Sequence, residues 1–251
     1  MKSIIIFLFS LLLTRNTAMS QDITSIIKEA ERLETVPDEA GALKKYKEAL
    51  KLQPTHVQAL WKSSQLCSRI GQRQQNAKNR DDYYTAAKIY AETALKLDPN
   101  NSDANTSMAI ALGRATMTKS GKEKVSAAKD LKKYVDAAIR ANPSNFLAWH
   151  VLGRWHYEIS NLNAIERAAV KVFYGSFPPS SLKEGIAAFE KARSLSPGFI
   201  LNYLELAKAY HRNDDDEKAT ATLNTMMLQP NYTEDDAAIK ETGKKLLKDW
   251  K

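Results

Sequence analysis

The chain has 251 residues, of which 43% are hydrophobic and 26% charged, a composition typical of a soluble globular domain rather than of a disordered or integral membrane protein. Its single cysteine excludes an intrachain disulfide and a zinc site built from several cysteines. The formal charge of +8 favours acidic partners, such as nucleic acid, anionic lipid or an acidic protein surface, without choosing among them.

The first twenty residues have the pattern of a secretory signal peptide. Lys2 gives a positive start, the apolar run 4–13 follows, and 18–20 reads Ala-Met-Ser, the small-x-small pattern that a signal peptidase recognises. We therefore expect a cleaved signal peptide at 1–20, a mature chain that begins at Gln21 and an exported, periplasmic protein. The apolar run is about half as long as a bilayer-spanning helix, so no stable membrane span is expected after signal removal. The alternative is an uncleaved targeting helix on a cytoplasmic or membrane-associated protein.

The rest of the chain, 21–251, is predicted to form one helical repeat domain. Apolar residues return every three or four positions, which is typical of amphipathic helices, and no run of strands is indicated. Similar helix ends recur, each with an aromatic residue, a small residue, an aliphatic stripe and a terminating proline: Pro54, Pro99, Pro143, Pro197 and, more weakly, Pro230. These ends divide the domain into a C-terminal cap at 231–251 and five preceding units of about 22–54, 55–99, 100–143, 144–197 and 198–230.

The units match the tetratricopeptide repeat, in which two antiparallel helices occupy about 34 residues with the pattern Trp-x₂-Leu-Gly-x₂-Tyr, Ala-x₃-Phe, Pro. The fourth unit has Trp149, Leu152 and Gly153 in that pattern, with His156 in place of Tyr, and it continues to Phe189. The middle three units are longer than the consensus, and we expect their extra residues between the two helices of a pair. The sequence therefore predicts an all-α, tetratricopeptide-like helical-repeat solenoid of five antiparallel helix pairs, followed by a C-terminal capping helix.

No catalytic, cofactor-binding or metal-binding motif stands out among the reactive side chains. His150 and His156 are six residues apart, about 240° around a helix, so they do not share a face that binds one metal. Cys67 lies in an apolar stretch, which favours a small core residue over a nucleophile. The aspartates 214–216 lack the glycine and the distal glutamate of a calcium loop, and we interpret them as a turn and helix N-cap. We therefore predict no enzyme, cofactor or metal; an uncharacterised enzyme and an intracellular nucleic-acid binder are the alternatives.

A stack of helix pairs offers a concave wall, built by the first helix of each pair, on which a partner can lie. If Trp149 and His156 face the repeat core, the residues offset from them by one, at spacings of 3, 4 and 3, turn toward that wall. The same offset in the second, fourth and fifth units predicts a partner-binding stripe of Trp61, Gln65, His150, Arg154, Tyr157, Lys208 and His211. Cations, amides and aromatics together are typical of a groove that reads a peptide, and the basic charge favours an acidic protein or peptide partner. The alternative is a solvated face.

The basic segment 114–133 is a second candidate docking surface. Against Glu123 and Asp130 it carries seven basic residues: Arg114, Lys119, Lys122, Lys124, Lys129, Lys132 and Lys133. An acidic protein surface would suit this segment. The alternative is a solvated loop and helix face, because lysine-rich helix surfaces are common.

The stretch 142–197 carries a more specific resemblance. It has Leu-Gly-Arg-Trp at 152–155 with Tyr-Glu at 157–158, then Phe-x-Gly-x-x-Pro-Pro at 173–179, then Glu-Gly-Ile-x-x-Phe at 184–189. In this order the motifs resemble the regulator of microtubule dynamics family. Similarity extends loosely from about residue 53 and more strongly through the last half of the chain.

The resemblance implies a tetratricopeptide-like, non-enzymatic protein. It also implies a link to microtubules, because animal members of the family are associated with microtubules, spindle poles and mitochondrial or reticular membranes. An exported bacterial protein would not meet a microtubule, so we expect microtubules as a partner only if the protein is cytoplasmic. The resemblance thus supports the expected fold and groove more strongly than it supports any particular partner.

Overall fold

The computed structural model describes residues 22–116 and 121–250. The predicted signal peptide at 1–20 and the expected first mature residue, Gln21, lie outside the described residues. Within them, no helix is both long enough and apolar enough to cross a membrane.

Helices account for all the regular secondary structure of the described residues, and no strand occurs among them. In chain order they are α1 (22–35), α2 (Glu39–Leu52), α3 (Val57–Gln72), α4 (Ala77–Leu97), α5 (Ser102–Thr116), α6 (Gly121–Ala141), α7 (Phe146–Ser160), α8 (Ala164–Tyr174), α9 (Leu182–Leu195), α10 (Ile200–Arg212), α11 (Asp216–Leu228) and α12 (Asp236–Asp249).

The helices pack as successive pairs, α1 with α2, α3 with α4, α5 with α6, α7 with α9, and α10 with α11. The last helix, α12, packs on α10 and α11 and covers the end of the stack. Many alanines on the contact faces are fully buried, among them Ala42, Ala87, Ala138 and Ala207. Because these side chains are small, the helices can approach one another closely. The predicted all-α solenoid of five helix pairs and a capping helix is confirmed.

Each second helix ends two residues before a proline, as the sequence pattern predicts. Thus α2 ends at Leu52 before Pro54, and α9 ends at Leu195 before Pro197. The same spacing is found at Pro99, Pro143 and Pro230. Proline has no N–H and cannot continue the helical hydrogen bonds, so these residues fix where the chain turns to the next pair.

The extra residues of the longer units do not all lie where we expected them. In the second pair they lengthen the second helix itself: α4 has 21 residues, whereas α2 has 14. Helix α4 begins early because the Asn76 side chain accepts a hydrogen bond from the Asn79 N–H and caps it. Helix α6 is also 21 residues long. Within the described residues, a separate inserted helix occurs in the fourth pair alone: the surface helix α8, which packs against α6 and leaves Ile165 and Val172 exposed.

Two other local predictions from the sequence are confirmed. Cys67 is fully buried in the core between the first two pairs, and burial raises the pKa of its thiol to about 11. Asp215 caps α11 by accepting a hydrogen bond from the Lys218 N–H, directly after Asp214 in a left-handed turn with φ of 56°.

Glycine sets the distance between α7 and α9. A Cβ atom placed on Gly153 would lie 2.6 Å from Cδ1 of Phe189, a fully buried ring of α9. On the facing helix, a Cβ atom on Gly185 would lie 3.3 Å from the Gly153 carbonyl oxygen. The pair can therefore cross this closely only with a glycine at position 153.

We predict that Gly153→Ala lowers the free energy of unfolding by about 1–3 kcal/mol, because the added methyl group overlaps the Phe189 ring. Gly113→Ala is the matched control, since a Cβ there meets only the end of the flexible Leu131 side chain, at 3.3 Å. That variant should change stability by less than about 1 kcal/mol, because alanine is also the better helix former. Urea unfolding of both variants checks this, and equal effects would contradict the close crossing.

Candidate binding surface

The first helices of the pairs form the inner wall of the solenoid. Helices α3, α5, α7 and α10 pack on one another in succession, whereas the second helices α4, α6 and α9 have no comparable contact among themselves in the described residues. A stack that is closer together on one side curves toward that side, so the first helices line its concave face. We call the charged side chains on this face the inner wall: Lys62, Arg69, Arg73, Arg114, Arg154, Glu205 and Lys208.

A buried carboxylate organises the N-terminal half of the inner wall. The Glu39 side chain, only 3% exposed, accepts hydrogen bonds from Arg69 Nε at 2.8 Å and from Arg73 Nη2 at 2.7 Å. A second acid, Glu34, pairs with Lys62 at 2.9 Å and accepts a hydrogen bond from the Tyr46 hydroxyl at 2.7 Å. The basic groups of α3 are therefore already bound to acids of the first pair.

The turn before α12 reaches across to the first two pairs. Arg73 forms ion pairs with Glu234 and Asp235, each at 3.1 Å, and Glu234 also accepts a hydrogen bond from the Glu39 N–H at 2.9 Å. This N–H belongs to the first turn of α2, where a helix supplies no partner of its own. The C-terminal end of the solenoid thus contacts its beginning, and the inner wall is bounded on that side by the turn 232–235.

The C-terminal half of the inner wall contains two of the predicted binding cations. Arg154 of α7 and Lys208 of α10 both pair with Glu205, at 3.0 and 3.1 Å. The Glu205 side chain is 6% exposed, whereas those of Arg154 and Lys208 are 42% and 32% exposed. The structure brings these two predicted site residues together and leaves both within reach of a ligand, but it also gives them a shared structural carboxylate.

The prediction that His150 faces a partner is wrong. His150 is only 5% exposed, because the ring lies between Phe189 of α9 and Phe199, which precedes α10. Its Nδ1 donates to Asn202 Oδ1 at 3.0 Å, and the Asn202 amide donates to the Phe189 carbonyl at 2.9 Å. The next pair covers the offset position, so His150 is a core residue that joins two repeats. Burial lowers its pKa to about 4.

Trp61 and Gln65 lie between the second and third pairs. Trp61 is half-buried and packs with the core around Leu60, and Gln65 Nε2 donates to the Ser107 hydroxyl of α5 at 3.1 Å. The same hydroxyl donates to the Asp103 carbonyl oxygen at 2.7 Å and lies 3.3 Å from the Trp61 carbonyl oxygen. Both residues therefore hold α3 against α5, and only their outer parts remain accessible.

Tyr157 and His211 lie toward the capping helix. The Arg212 guanidinium stacks 4.2 Å from the Tyr157 ring centroid and donates to the Tyr157 carbonyl oxygen. His211 stacks on Trp250 at 4.2 Å between ring centroids and pairs with Asp216. Both side chains are half-buried. Their contacts hold the last helix pair and the capping helix together.

The stripe predicted from the sequence is therefore not one surface. Arg154 and Lys208 meet, His150 lies behind them in the core, and the other four positions serve contacts between helices. The sequence reasoning missed the acids Glu39 and Glu205. It also missed three inner-wall cations, Lys62, Arg69 and Arg73, and it assigned a fourth, Arg114, to the separate basic segment 114–133. The sequence does contain a pattern that could have identified the three cations of α3, because the basic residues at 62, 69 and 73 recur on one side of that helix.

The basic segment 114–133 is divided between two surfaces. Arg114 belongs to the inner wall, whereas Lys129 contacts the Gly175 carbonyl oxygen at 2.9 Å and Lys132 pairs with Asp136 at 2.7 Å on α6. Lys122, Lys124 and Lys133 are exposed on α6. Lys119 lies outside the described residues. The segment as a whole does not form a single patch within the described residues.

Comparison with known proteins identifies the family. Residues 26–251 match the family described as regulator of microtubule dynamics protein 1-3. The chain belongs to this family. Regulator of microtubule dynamics protein 2 of Homo sapiens is 24% identical over 192 residues, which are 76% of this chain and 47% of the human protein. Protein 1 of Caenorhabditis elegans is 26% identical over 188 residues, or 75% of this chain and 83% of the worm protein. The chain spans about half the length of the vertebrate relatives it matches.

A solved structure shows the same fold. TTC0263, a thermophilic tetratricopeptide protein of Thermus thermophilus, superposes with a TM-score of 0.66 at 14% identity, over 88% of this chain and 98% of that chain. The likeness concerns the fold alone, and it confirms the tetratricopeptide-like solenoid for this member of the regulator of microtubule dynamics family.

We predict that the stability of this family member falls between pH 6.5 and pH 5 in part because of His150. The unfolded histidine takes up a proton near its ordinary pKa of about 6.5, whereas burial keeps the folded one neutral down to about 4. The unfolded state therefore binds more protons in this range, and stability decreases by up to about 1.4 kcal/mol per pH unit. Burial also lowers the pKa of His156, which acts in the same direction.

The measurement is urea unfolding at several pH values for the wild-type chain and for His150→Gln. The variant should show a shallower decrease in stability toward pH 5, whatever its absolute stability. An NMR titration of the His150 ring with a midpoint above pH 6 would contradict the buried, neutral assignment.

Proposed function

We propose that the chain is a non-enzymatic protein-binding scaffold that holds a peptide or protein segment against the inner wall. The observation that carries this proposal is the accessible pair of cations, Arg154 and Lys208, on the side where the first helices pack together. A concave helical surface of this kind is what repeat proteins present to extended partners. The tetratricopeptide-like fold and the family membership support a scaffold over an enzyme.

An acidic partner suits the charge distribution on the C-terminal half of the wall. Three cations, Arg114, Arg154 and Lys208, share this region with the buried carboxylate of Glu205 and the exposed carboxylate of Glu158. Exposed cations draw an acidic ligand mainly by raising the association rate and by fixing its orientation. Affinity for the partner should therefore weaken as salt rises, because exposed charges are screened.

A microtubule-regulating role is the second candidate function. The family membership favours it, because the relatives are named as regulators of microtubule dynamics. It requires a cytoplasmic location, whereas export of a mature chain beginning at Gln21 would place the scaffold away from microtubules. Co-sedimentation with microtubules distinguishes a tubulin-binding scaffold from one with another protein partner.

The direct test removes the cations of the wall without leaving Glu205 as an unpaired buried charge. The variant Arg154→Met, Lys208→Met, Glu205→Gln keeps side-chain volume and lowers the net charge by one. We predict that it weakens binding of a partner captured from the native cells by about 1–3 kcal/mol, since charge-assisted hydrogen bonds contribute about this much. Calorimetric titration with the purified partner measures the change.

Lys124→Met is the matched control, because it lowers the net charge by the same amount at an exposed position on α6. It should leave partner affinity nearly unchanged. If Lys122→Gln, Lys124→Gln and Lys133→Gln together abolish binding while the wall variant binds normally, the lysine face of α6 is the contact surface instead. That result would refute the inner-wall proposal.

A further inference from the structure

Arg114 is the one inner-wall cation without an acid of its own among the described residues. Its side chain is half-buried near the C-terminal end of α5, and its Nε is buried without a hydrogen-bond partner among the described residues. By contrast, Arg69, Arg73, Arg154 and Lys208 each form an ion pair within 3.1 Å. The end of α5 favours a positive charge through the helix dipole, but this does not supply a hydrogen bond to Nε.

The groups that act on Arg114 come from three other elements. They are the phenol of Tyr84 on α4, the guanidinium of Arg154 on α7 and the carboxylate of Asp235 before α12. Asp235 is held by Arg73 at 3.1 Å, so its charge is already engaged. Burial lowers the pKa of Arg114, and the neighbouring positive charge of Arg154 acts in the same direction.

Tyr84 provides a second unpartnered donor in this region. It is 5% exposed, and its hydroxyl is buried without a hydrogen-bond partner in the part of the chain that the structure describes. The ring is fixed against Gly71 of α3, where an added Cβ would lie 3.0 Å from Tyr84 Cε1. A guanidinium N–H and a phenol O–H that are both buried and unpaired are unfavourable by themselves, because each has lost its hydration without a replacement.

We propose that Arg114, whose side chain is partly exposed, binds a carboxylate of the protein partner at the inner wall with the help of the more exposed Arg154. A guanidinium presents parallel N–H groups that match the two oxygens of a carboxylate. The proposal rests on the proposed function, because it identifies the group of an acidic partner that the scaffold recognises. The carboxylate has two sources, an acidic side chain and a chain terminus, and both place the same two oxygens on Arg114.

The test uses two fluorescent oligopeptides as probes. N-acetyl oligoglutamate with an amidated C-terminus offers only side-chain carboxylates, and N-acetyl oligoglutamine with a free C-terminus offers only the terminal one. Fluorescence anisotropy measures the binding of each to the full chain, to Arg114→Met and to Arg140→Met. Arg140 is exposed on α6, so its variant removes one positive charge by the same substitution away from the wall.

At least one probe should bind the wild-type chain and lose about tenfold or more in affinity in Arg114→Met, with less than about twofold loss in Arg140→Met. The probe that responds identifies the source of the carboxylate. Arg114→Met should also melt at the wild-type temperature or higher, because it removes a buried unpaired charge; a structural role would lower the melting temperature. Absence of binding by both probes, or equal losses in the two variants, would overturn the proposal.

If Arg114→Met is too unstable to study, Arg114→Lys provides a second test of the carboxylate site. Lysine retains the charge but lacks the fork and the Nε–H, so affinity should fall severalfold; unchanged affinity would overturn the proposal. The outcome is separable from the proposed function. A partner that needs Arg154 and Lys208 but binds Arg114→Met normally would leave the scaffold intact and remove this site. If the probes bind in a way that depends on Arg114 but no protein partner binds at the wall, the carboxylate site stands and the scaffold proposal fails.

Discussion

The shape of the inner wall depends on the ion pairs that the buried Glu39 carboxylate forms with Arg69 and Arg73. The charge of Glu39 is acceptable in the core because Arg69 and Arg73 both donate to it, at 2.8 and 2.7 Å. Arg73 then carries the same network to Glu234 and Asp235, at the far end of the domain. A solenoid in which repeats touch only their neighbours would leave its ends free. Here two ion pairs of Arg73 and a hydrogen bond from the Glu39 N–H join the two ends of the stack, and these contacts restrain its curvature.

This closure gives the two halves of the inner wall different characters. Around α3 the acids outnumber the bases, and every cation is bound within the fold: Lys62 to Glu34, Arg69 and Arg73 to Glu39. On α5, α7 and α10 the three cations Arg114, Arg154 and Lys208 outnumber their two acids, because Arg154 pairs with Glu158 and Glu205 and Lys208 pairs with Glu205. The first half therefore serves the structure, whereas the second half retains the capacity to bind an anionic group. The scaffold proposal and the carboxylate site both follow from this asymmetry.

The sequence predicts local features well because their causes are local. Prolines such as Pro54 and Pro197 fix helix ends directly, and Gly153 marks the close crossing of α7 with α9. The burial of His150 depends on rings from α9 and from the turn before α10, so helical offset alone assigns it to the wrong environment. The hydrogen bond from Glu39 to Glu234 spans 195 residues, and the bond from Arg73 to Asp235 spans 162. No repeat period carries information about contacts that join the two ends of the stack.

Amide hydrogen exchange at Glu39 tests this closure most directly. The Glu39 N–H lies in the first turn of α2 and is bonded only by Glu234 among the described residues, whereas the Gly41 N–H two residues on is bonded locally by Asp38. We predict that Glu234→Ala speeds exchange at Glu39 by about tenfold or more and leaves the exchange rate at Gly41 unchanged. Equal exchange rates at Glu39 in the wild-type chain and in Glu234→Ala would contradict a solenoid whose ends are joined.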